Sequence, residues 1–250
     1  MSDAGFGPST YGDRIAGVFD ASFVPKDEHS AAGFLASLAR GGRALELGIG
    51  TGRVALPLRR LGVDVDGIEA SEAMAAKLRA KRGGGRIVVT IGDLVDVPAA
   101  RPRYDLVYAV FNTFFAPLTQ DEQVRCFANV AGRLAARGAF VIEAFVPDPT
   151  LYDGGQRTEA FAVELDRVQI DVVRHDAEKQ HLIGQHVVLT PRGGRLYPFA
   201  MRYVWPSEMD LMARLAGLRL RERYGGWHHE PFTSASVFHV SVYERPARGR

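Results

Sequence analysis

The residues most able to do chemistry lie in the segment Leu45-Glu-Leu-Gly-Ile-Gly-Thr-Gly-Arg53. Glycines at 48, 50 and 52 let backbone approach a ligand and expose the start of the helix that follows. A dinucleotide-binding turn of the Gly-x-Gly-x-x-Gly kind would need its third glycine at position 53. That position is Arg53, a long side chain at a close helix–strand contact. Glu46, two residues ahead of the first glycine, would repel phosphates and attract a cation. Two further carboxylates fall into line with it. Glu69, in Gly67-Ile-Glu-Ala-Ser71, follows Gly48 by 21 residues, near the spacing at which dinucleotide folds place a ribose-binding carboxylate. Asp93 stands in Ile91-Gly-Asp-Leu94.

These residues need elements to position them, and the pattern over residues 28–147 alternates helix and strand. Ala31, Phe34, Leu35 and Leu38 mark an amphipathic helix closed by Gly41-Gly42. The apolar run Ala44 to Leu47 ends in the glycine turn. A second helix carries Val54, Leu58 and Leu61, with Pro57 expected to kink it. Val63 to Ile68 is the next strand, and Ser71 caps a helix through Lys81 that Gly83-Gly-Gly85 stops. Arg86 to Ile91 and Tyr104 to Phe111 have the nearly continuous apolar character of parallel strands. Thr119 with Glu122 forms a capping box, opening a helix with Val124, Phe127, Ala131 and Leu134 on one face and an end at Arg137-Gly138. Phe140 to Phe145 is a fifth strand. The rhythm predicts an α/β fold with a doubly wound, mostly parallel seven-stranded sheet.

After Pro147 the period changes to two, in Val168 to Val173, His186 to Leu189 and Phe199 to Val204, which predicts an antiparallel insertion or lid over residues 151–204. Residues 205–245 return to α/β, with a helix over 207–216 capped by Ser207 and strands over 218–224 and 237–244, so that 1–250 forms a single domain. Residues 1–8 and 246–250 are expected to fray.

An acidic residue followed by Gly-x-Gly-x-Gly, with carboxylates after the second and third strands, resembles the class I S-adenosylmethionine-dependent methyltransferases over roughly residues 40–147. The resemblance implies a Rossmann-like fold and S-adenosyl-L-methionine as cofactor, with S-adenosyl-L-homocysteine as product. It implies that Glu46 lies near the methionine part, that Glu69 holds the ribose hydroxyls and that Asp93 accepts from the adenine amino group. Gly48, Ile49, Gly50, Gly52, Ala70, Gly92, Leu94, Phe111 and Asn112 are grouped with them as cofactor-binding, and Met74 as an adenine contact. The element Tyr104 to Thr113 resembles the strand whose end faces the sulfonium, which puts Phe111, Asn112 and Thr113 where a methyl acceptor approaches. Met74 also fits core packing, and Asn112 also fits a turn.

The N-terminal Thr10-Tyr-Gly-Asp-Arg-Ile-Ala-Gly-Val-Phe-Asp20 resembles the helix that closes over the cofactor in small-molecule N-methyltransferases, which carries Tyr11 over as a cofactor contact. The insertion, the Asn112-Thr-Phe-Phe115 run and the ending at Glu230-Pro-Phe232 look like methyltransferases of bacterial natural-product pathways that act on amino sugars or peptide amines. Methyl transfer is an in-line displacement, so alignment and water exclusion supply most of the acceleration. An amine acceptor must also lose a proton, for which His228, beside His229 and Trp227, is the candidate acceptor. Tyr203 and Trp227 are candidates for the acceptor pocket, as are Tyr197 and Trp205, although these aromatics equally fit a core within the lid. Alternatives are O- or C-methylation of a metabolite, or a cofactor-binding partner subunit without turnover. A nicotinamide oxidoreductase is disfavoured by Arg53 and Glu46.

Composition bounds what remains. The 250 residues are 46% hydrophobic and 24% charged, an ordinary globular balance, and 31 basic against 29 acidic residues give +2, which argues against nucleic acid as partner. One cysteine, Cys126, excludes a disulfide framework and suits the cytoplasm. No spacing of the seven histidines suggests a metal. No apolar run approaches the ~20 residues a bilayer needs. The reading leaves a small-molecule or peptide substrate and allows for a homodimer.

Overall fold

The computed structural model describes residues 5–22 and 27–246, so the outer parts of both expected frayed ends lie outside the described residues. In chain order the elements are α1 (Thr10–Ile15), α2 (Phe19–Ser22), α3 (Glu28–Ala39), β1 (Arg43–Leu47), α4 (Ala55–Arg60), β2 (Asp64–Glu69), α5 (Glu72–Ala80), β3 (Val88–Ile91), β4 (Tyr104–Ala109), α6 (Gln120–Arg133) and β5 (Leu134–Phe145). There follow β6 (Gln156–Glu164), β7 (Arg167–Asp176), β8 (His181–Thr190), β9 (Gly193–Arg202), α7 (Pro206–Leu215), β10 (Arg219–Tyr224) and β11 (Phe238–Glu244). The first sheet has seven strands in the order β10-β11-β5-β4-β1-β2-β3, and the second has four in the order β6-β7-β8-β9.

In the large sheet β3, β2, β1, β4 and β5 run parallel, while β11 is antiparallel to β5 and β10 to β11. The parallel strands are apolar at successive positions because both faces are covered. Leu45, Leu47, Val107, Phe140 and Ile142 face α6 and α7, whereas Ala44, Val65, Leu106, Tyr108 and Val141 face α3 and α4. Chain order reverses between β1 and β4, which opens a crevice at the carboxyl ends of those strands.

The sequence expectations hold for the element types and fail at several boundaries. The capping box of Thr119 and Glu122 opens α6, but the helix stops at Arg133 and Leu134–Gly138 are already extended. The Arg103 guanidinium meets the carbonyls of Gly132 and Leu134, satisfying the helix end with a cation. Helix α7 is opened by Trp205 at the cap and Pro206 in the first turn, not by Ser207. Proline suits that place because its missing N–H would have no helical partner there. Leu61 falls at the end of α4 and is exposed.

The small sheet is an antiparallel meander whose β9 packs against α1, burying Tyr197 with Ile15, Ala16 and Met74. Its other anchor is polar. Buried Arg202 donates to Gln123 Oε1 at 2.6 Å, Gln180 Oε1 at 2.9 Å and Glu208 Oε1 at 2.8 Å, so the last residue of β9 is held by α6 and α7. No helix among the described residues is long and apolar enough to cross a membrane.

Candidate functional site

A cavity of about 520 Å³ occupies the crevice at the carboxyl ends of β1, β2, β3 and β4 and is covered by α1, α2 and residues of β8 and β9 in the small sheet. Its floor is made by the turns after the parallel strands. Its roof is made by Phe6, Tyr11, Phe19, His186, Phe199 and Met201.

On the floor, Gly48, Gly50 and Gly52 all have positive φ, at 64°, 54° and 77°. Gly48 and Gly50 line the cavity and Gly52 does not. A Cβ on Gly52 would sit 2.2 Å from Leu78 Cδ1, so its role is to let the turn close on α5. Ile49 lines the cavity too, and its side chain lies over Gly67, where a Cβ would be 2.4 Å from Ile49 Cδ1.

Three carboxylates reach this floor. Glu69, at the end of β2, accepts from the amides of Gly50 at 2.8 Å and Ser71 at 2.9 Å, tying two turns together. Each oxygen retains capacity for a further donor such as a hydroxyl. Burial pushes its pKa above the usual carboxylate value against those bonds. Glu46 on β1 accepts from the Tyr108 hydroxyl at 2.9 Å, and burial pushes it up to about 8, so that it is largely protonated near neutrality. Asp93, after β3, accepts from the Val95 amide at 2.9 Å. Ala70, Met74, Gly92 and Leu94 complete this side. Met74 also belongs to the core under α1, so the packing reading is realised while its side chain still borders the cavity.

Arg53, which the sequence set against a dinucleotide, lines the cavity with its guanidinium 3.5 Å from the centroid of Phe111 and 5.6 Å from that of Phe19. Its charge is felt by Glu46 and Glu143. Phe111 and Asn112 both take left-handed backbone, with φ of 54° and 63°, a conformation costly outside glycine and kept only where the surroundings enforce it. Glu143 of β5 enforces it. Its Oε2 accepts the Phe111 amide at 2.9 Å, while Asn112 Oδ1 accepts the Phe145 amide at 2.8 Å. Asn112 thus satisfies backbone groups and lines the cavity at once, beside Thr113. Glu143 was missed because it sits in an apolar run and acts through two strand ends.

The N-terminal elements are latched onto this floor. Asp20 accepts from Thr51 Oγ1 at 2.5 Å and pairs with Lys81 Nζ at 2.7 Å, and Asp13 accepts from Ser71 Oγ at 2.6 Å. Tyr11 therefore faces the cavity, with its hydroxyl pushed above its ordinary range by burial and by Asp171.

Of the expected acceptor-pocket aromatics, Tyr197 is buried under α1 and Trp205 caps α7, both outside the cavity lining, and three further expected residues lie elsewhere. His228 is exposed on the loop after β10, where its ring bonds Ser30 Oγ at 3.2 Å and its amide donates to Glu230. The loop turns at His229, with φ of 62°, instead of running extended. Trp227 is buried against Phe34 and donates to Glu143 Oε1 at 2.9 Å, so it braces the Phe111 turn from behind. Tyr203 bonds His175 Nε2 at 2.9 Å within the core joining the small sheet to α7. None of the three lines the cavity. The roof side chains that do line it, His186 and Phe199, were missed because their facing depends on the register of β8 and β9.

The site suits a ligand combining positive charge, hydroxyls and an aromatic group. Carboxylates meet cations and hydroxyl donors, the glycine turns admit close approach, and the acidic floor excludes a pyrophosphate.

Comparison with known proteins agrees with this geometry. The sequence profile of a family described as "Methyltransferase domain" matches residues 44–138. The cypemycin N-terminal methyltransferase of a Streptomyces species is 27% identical, over 98% of this chain and 100% of its own. Among solved structures, the CcbJ methyltransferase from Streptomyces caelestis superposes with a TM-score of 0.92 at 39% identity, covering 97% of this chain and 100% of that one. An S-adenosylmethionine-dependent methyltransferase from Clostridium acetobutylicum shares the fold, with a TM-score of 0.78 at 11% identity over 93% of this chain and 98% of its own.

Proposed function

Because the chain belongs to the S-adenosylmethionine-dependent methyltransferases, we propose that it methylates an amine of a small molecule or peptide, in the cytoplasm, as part of natural-product assembly. The observation that carries this reading is one cavity with a carboxylate floor and an aromatic roof. Glu46, Glu69 and Asp93 lie below, and Phe6, Tyr11, Phe19 and Phe199 lie above. An aromatic wall suits a cationic amine. The name of the cypemycin relative, an N-terminal methyltransferase, supports the same class of acceptor.

On this reading residues 28–147 form the cofactor-binding core, 151–204 the substrate lid and 205–245 the completion of the sheet within one domain. Glu69 would hold the ribose hydroxyls, Asp93 and Met74 the adenine, and Glu46 with the turn Gly48 to Gly50 the methionine part. Bound there, S-adenosylmethionine supplies a methyl group on a sulfonium whose sulfur keeps the bonding pair when the methyl leaves. The chain's own work is positional. The Phe111-Asn112-Thr113 turn, rigid because Glu143 and Phe145 hold it, lies between floor and roof where the acceptor would align. The latched α1 and α2 exclude water.

Calorimetry with S-adenosylhomocysteine and with NAD tests the floor: binding of the first and not the second is expected. Labelled cofactor offered with an amino sugar, a peptide bearing a free α-amine and the same peptide N-acetylated tests the acceptor. Label on nitrogen in a free amine is expected. Label on the acetylated peptide or on hydroxyls alone would overturn the amine reading.

A further inference from the structure

In an antiparallel sheet covered on one side, alternation sends apolar side chains toward the body and polar ones to solvent. Strand β7 reverses this. Asp171 is the register partner of His186, and His186 of Tyr197, on the face that packs against α1 and roofs the cavity, and Gln169 on that same face is buried. Val168, Ile170 and Val172 alternate with these polar residues and therefore point away from the molecule. Their register partners on that outer face are Leu189 and Val187 of β8, and Leu196 of β9 follows Val187. Leu196 is 62% exposed and Val172 45%. The patch continues through Val163 of β6, the partner of Val168, to Leu165 in the β6–β7 turn, which is 98% exposed.

The polar residues within this face, Thr158 and Gln185, carry no charge, and charge enters only toward the strand ends, at Arg174. Among the described residues, the cores that the small sheet joins draw on its opposite side: Tyr197 and Val188 under α1, and Val173, Leu182 and Met201 beside α6 and α7. The outer face has no such cover.

A contiguous apolar patch larger than a few hundred Å² marks an interaction surface, because a sheet face is stable only when a second layer buries it. Strands β6 to β9 have nine or ten residues each. At a spacing of about 4.8 Å and a rise of about 3.4 Å per residue their flat outline is about 600 Å². Stable pairs bury about 800 Å² on each side, a size this face reaches once the relief of its projecting leucines is added to the outline. An uncharged apolar centre is the composition of a permanent contact between identical chains, and offers nothing to a charged partner. Two copies related by a two-fold axis present the same face to each other, and two sheet faces pack well at about 10 Å.

We propose that the outer face of β6–β9 binds the same face of a second copy of this chain, so that the two small sheets form a sandwich about a two-fold axis. Each partner then stands directly behind the other's cavity roof, since β8 and β9 carry His186, Phe199 and Met201 on their opposite side. Both cavities lie on the outer sides of the sandwich. The assembly is independent of which acceptor is methylated.

Sedimentation velocity on the full chain at micromolar concentration tests this, and twice the mass of the chain is expected. Leu196→Glu places a carboxylate in the apolar centre of both faces and should weaken association more than about 100-fold. Its affinity for S-adenosylhomocysteine, measured by calorimetry, should stay within about twofold of wild type, because the floor is untouched. Val172→Glu, on a different strand of the same face, should act alike. Leu215→Glu puts the same charge on an exposed leucine of α7 and should leave the dimer intact.

Circular dichroism checks the fold of each variant, and if one of the two face variants does not fold, the other decides. A wild-type monomer would overturn the proposal, and its co-sedimentation with vesicles of phosphatidylcholine and phosphatidylglycerol would give the face to a lipid surface instead. A dimer that survives both Leu196→Glu and Val172→Glu would place the contact elsewhere and overturn it as well.

Discussion

On the floor of the cavity the ligand-facing groups are backbone turns and carboxylates at the ends of parallel strands, whereas on the roof they are side chains from α1 and from the middle of β8 and β9. The floor is stiffened from within. Glu69 ties Gly50 to Ser71, Glu143 ties Phe111 to β5, and the glycine turn closes on α5 because Gly52 has no side chain. The roof is held from outside, by the Asp20 and Asp13 latches on one flank and the Arg202 network on the other. The floor therefore suits one constant ligand, and the roof can change its surface side chains without disturbing its supports. Cofactor affinity and acceptor choice should accordingly separate under mutation.

The largest separation is expected from two glycines. Gly52→Val meets both the positive φ and the contact with Leu78 and should cost about 3 kcal/mol, lowering Tm by about 6–12 °C, with cofactor binding lost. Gly184→Val should displace Phe199 and reduce methyl transfer by more than tenfold while S-adenosylhomocysteine affinity stays within about threefold. Thermal unfolding followed by circular dichroism, and calorimetry on both variants, check this; equal loss of cofactor affinity in both would erase the distinction. Next comes Glu69→Ala, which should weaken S-adenosylhomocysteine binding about 30-fold, or about 2 kcal/mol, with the fold retained. Unchanged affinity would remove Glu69 from the ribose.

A smaller effect is expected in pH. With Glu46 raised to about 8 by burial, its favourable contribution to stability is complete below the unfolded value near 4.5 and is lost as pH rises through 8. A cationic ligand beside it favours the carboxylate, so binding below pH 8 should release a proton and affinity should climb by up to about tenfold per pH unit before levelling off. Calorimetry in buffers of different ionisation enthalpy counts that proton, and Glu46→Gln should abolish the release. The smallest effect belongs to His228→Ala. This side chain is exposed and outside the cavity, and cofactor affinity and turnover should both stay within about twofold of wild type.

Legibility followed the same division. Glu46, Gly48, Glu69 and Asp93 could be found by reading because each stands in the last two residues of a parallel strand or in the turn just after it, and faces the crevice by virtue of where that strand ends. Glu143 and Arg53 were visible as residues but not as partners, because what they touch lies on other strands. Trp227 and Tyr203 have the composition of a pocket wall and became core, since burying a large ring with its polar atom satisfied is as favourable in an interior as at a ligand.

The sequence by itself determined the class of fold, the α/β rhythm, the antiparallel insertion and the carboxylates that line the cavity floor. These depend on periodicity, caps and turn residues, whose physics is local to a few neighbouring positions. Only the tertiary structure decided what faces the cavity from above. A one-residue change of register turns every side chain of a strand to the opposite face. The pairing of Asp171 with His186, and of Gly184 with Phe199, therefore exists only once β7, β8 and β9 are aligned and docked against α1.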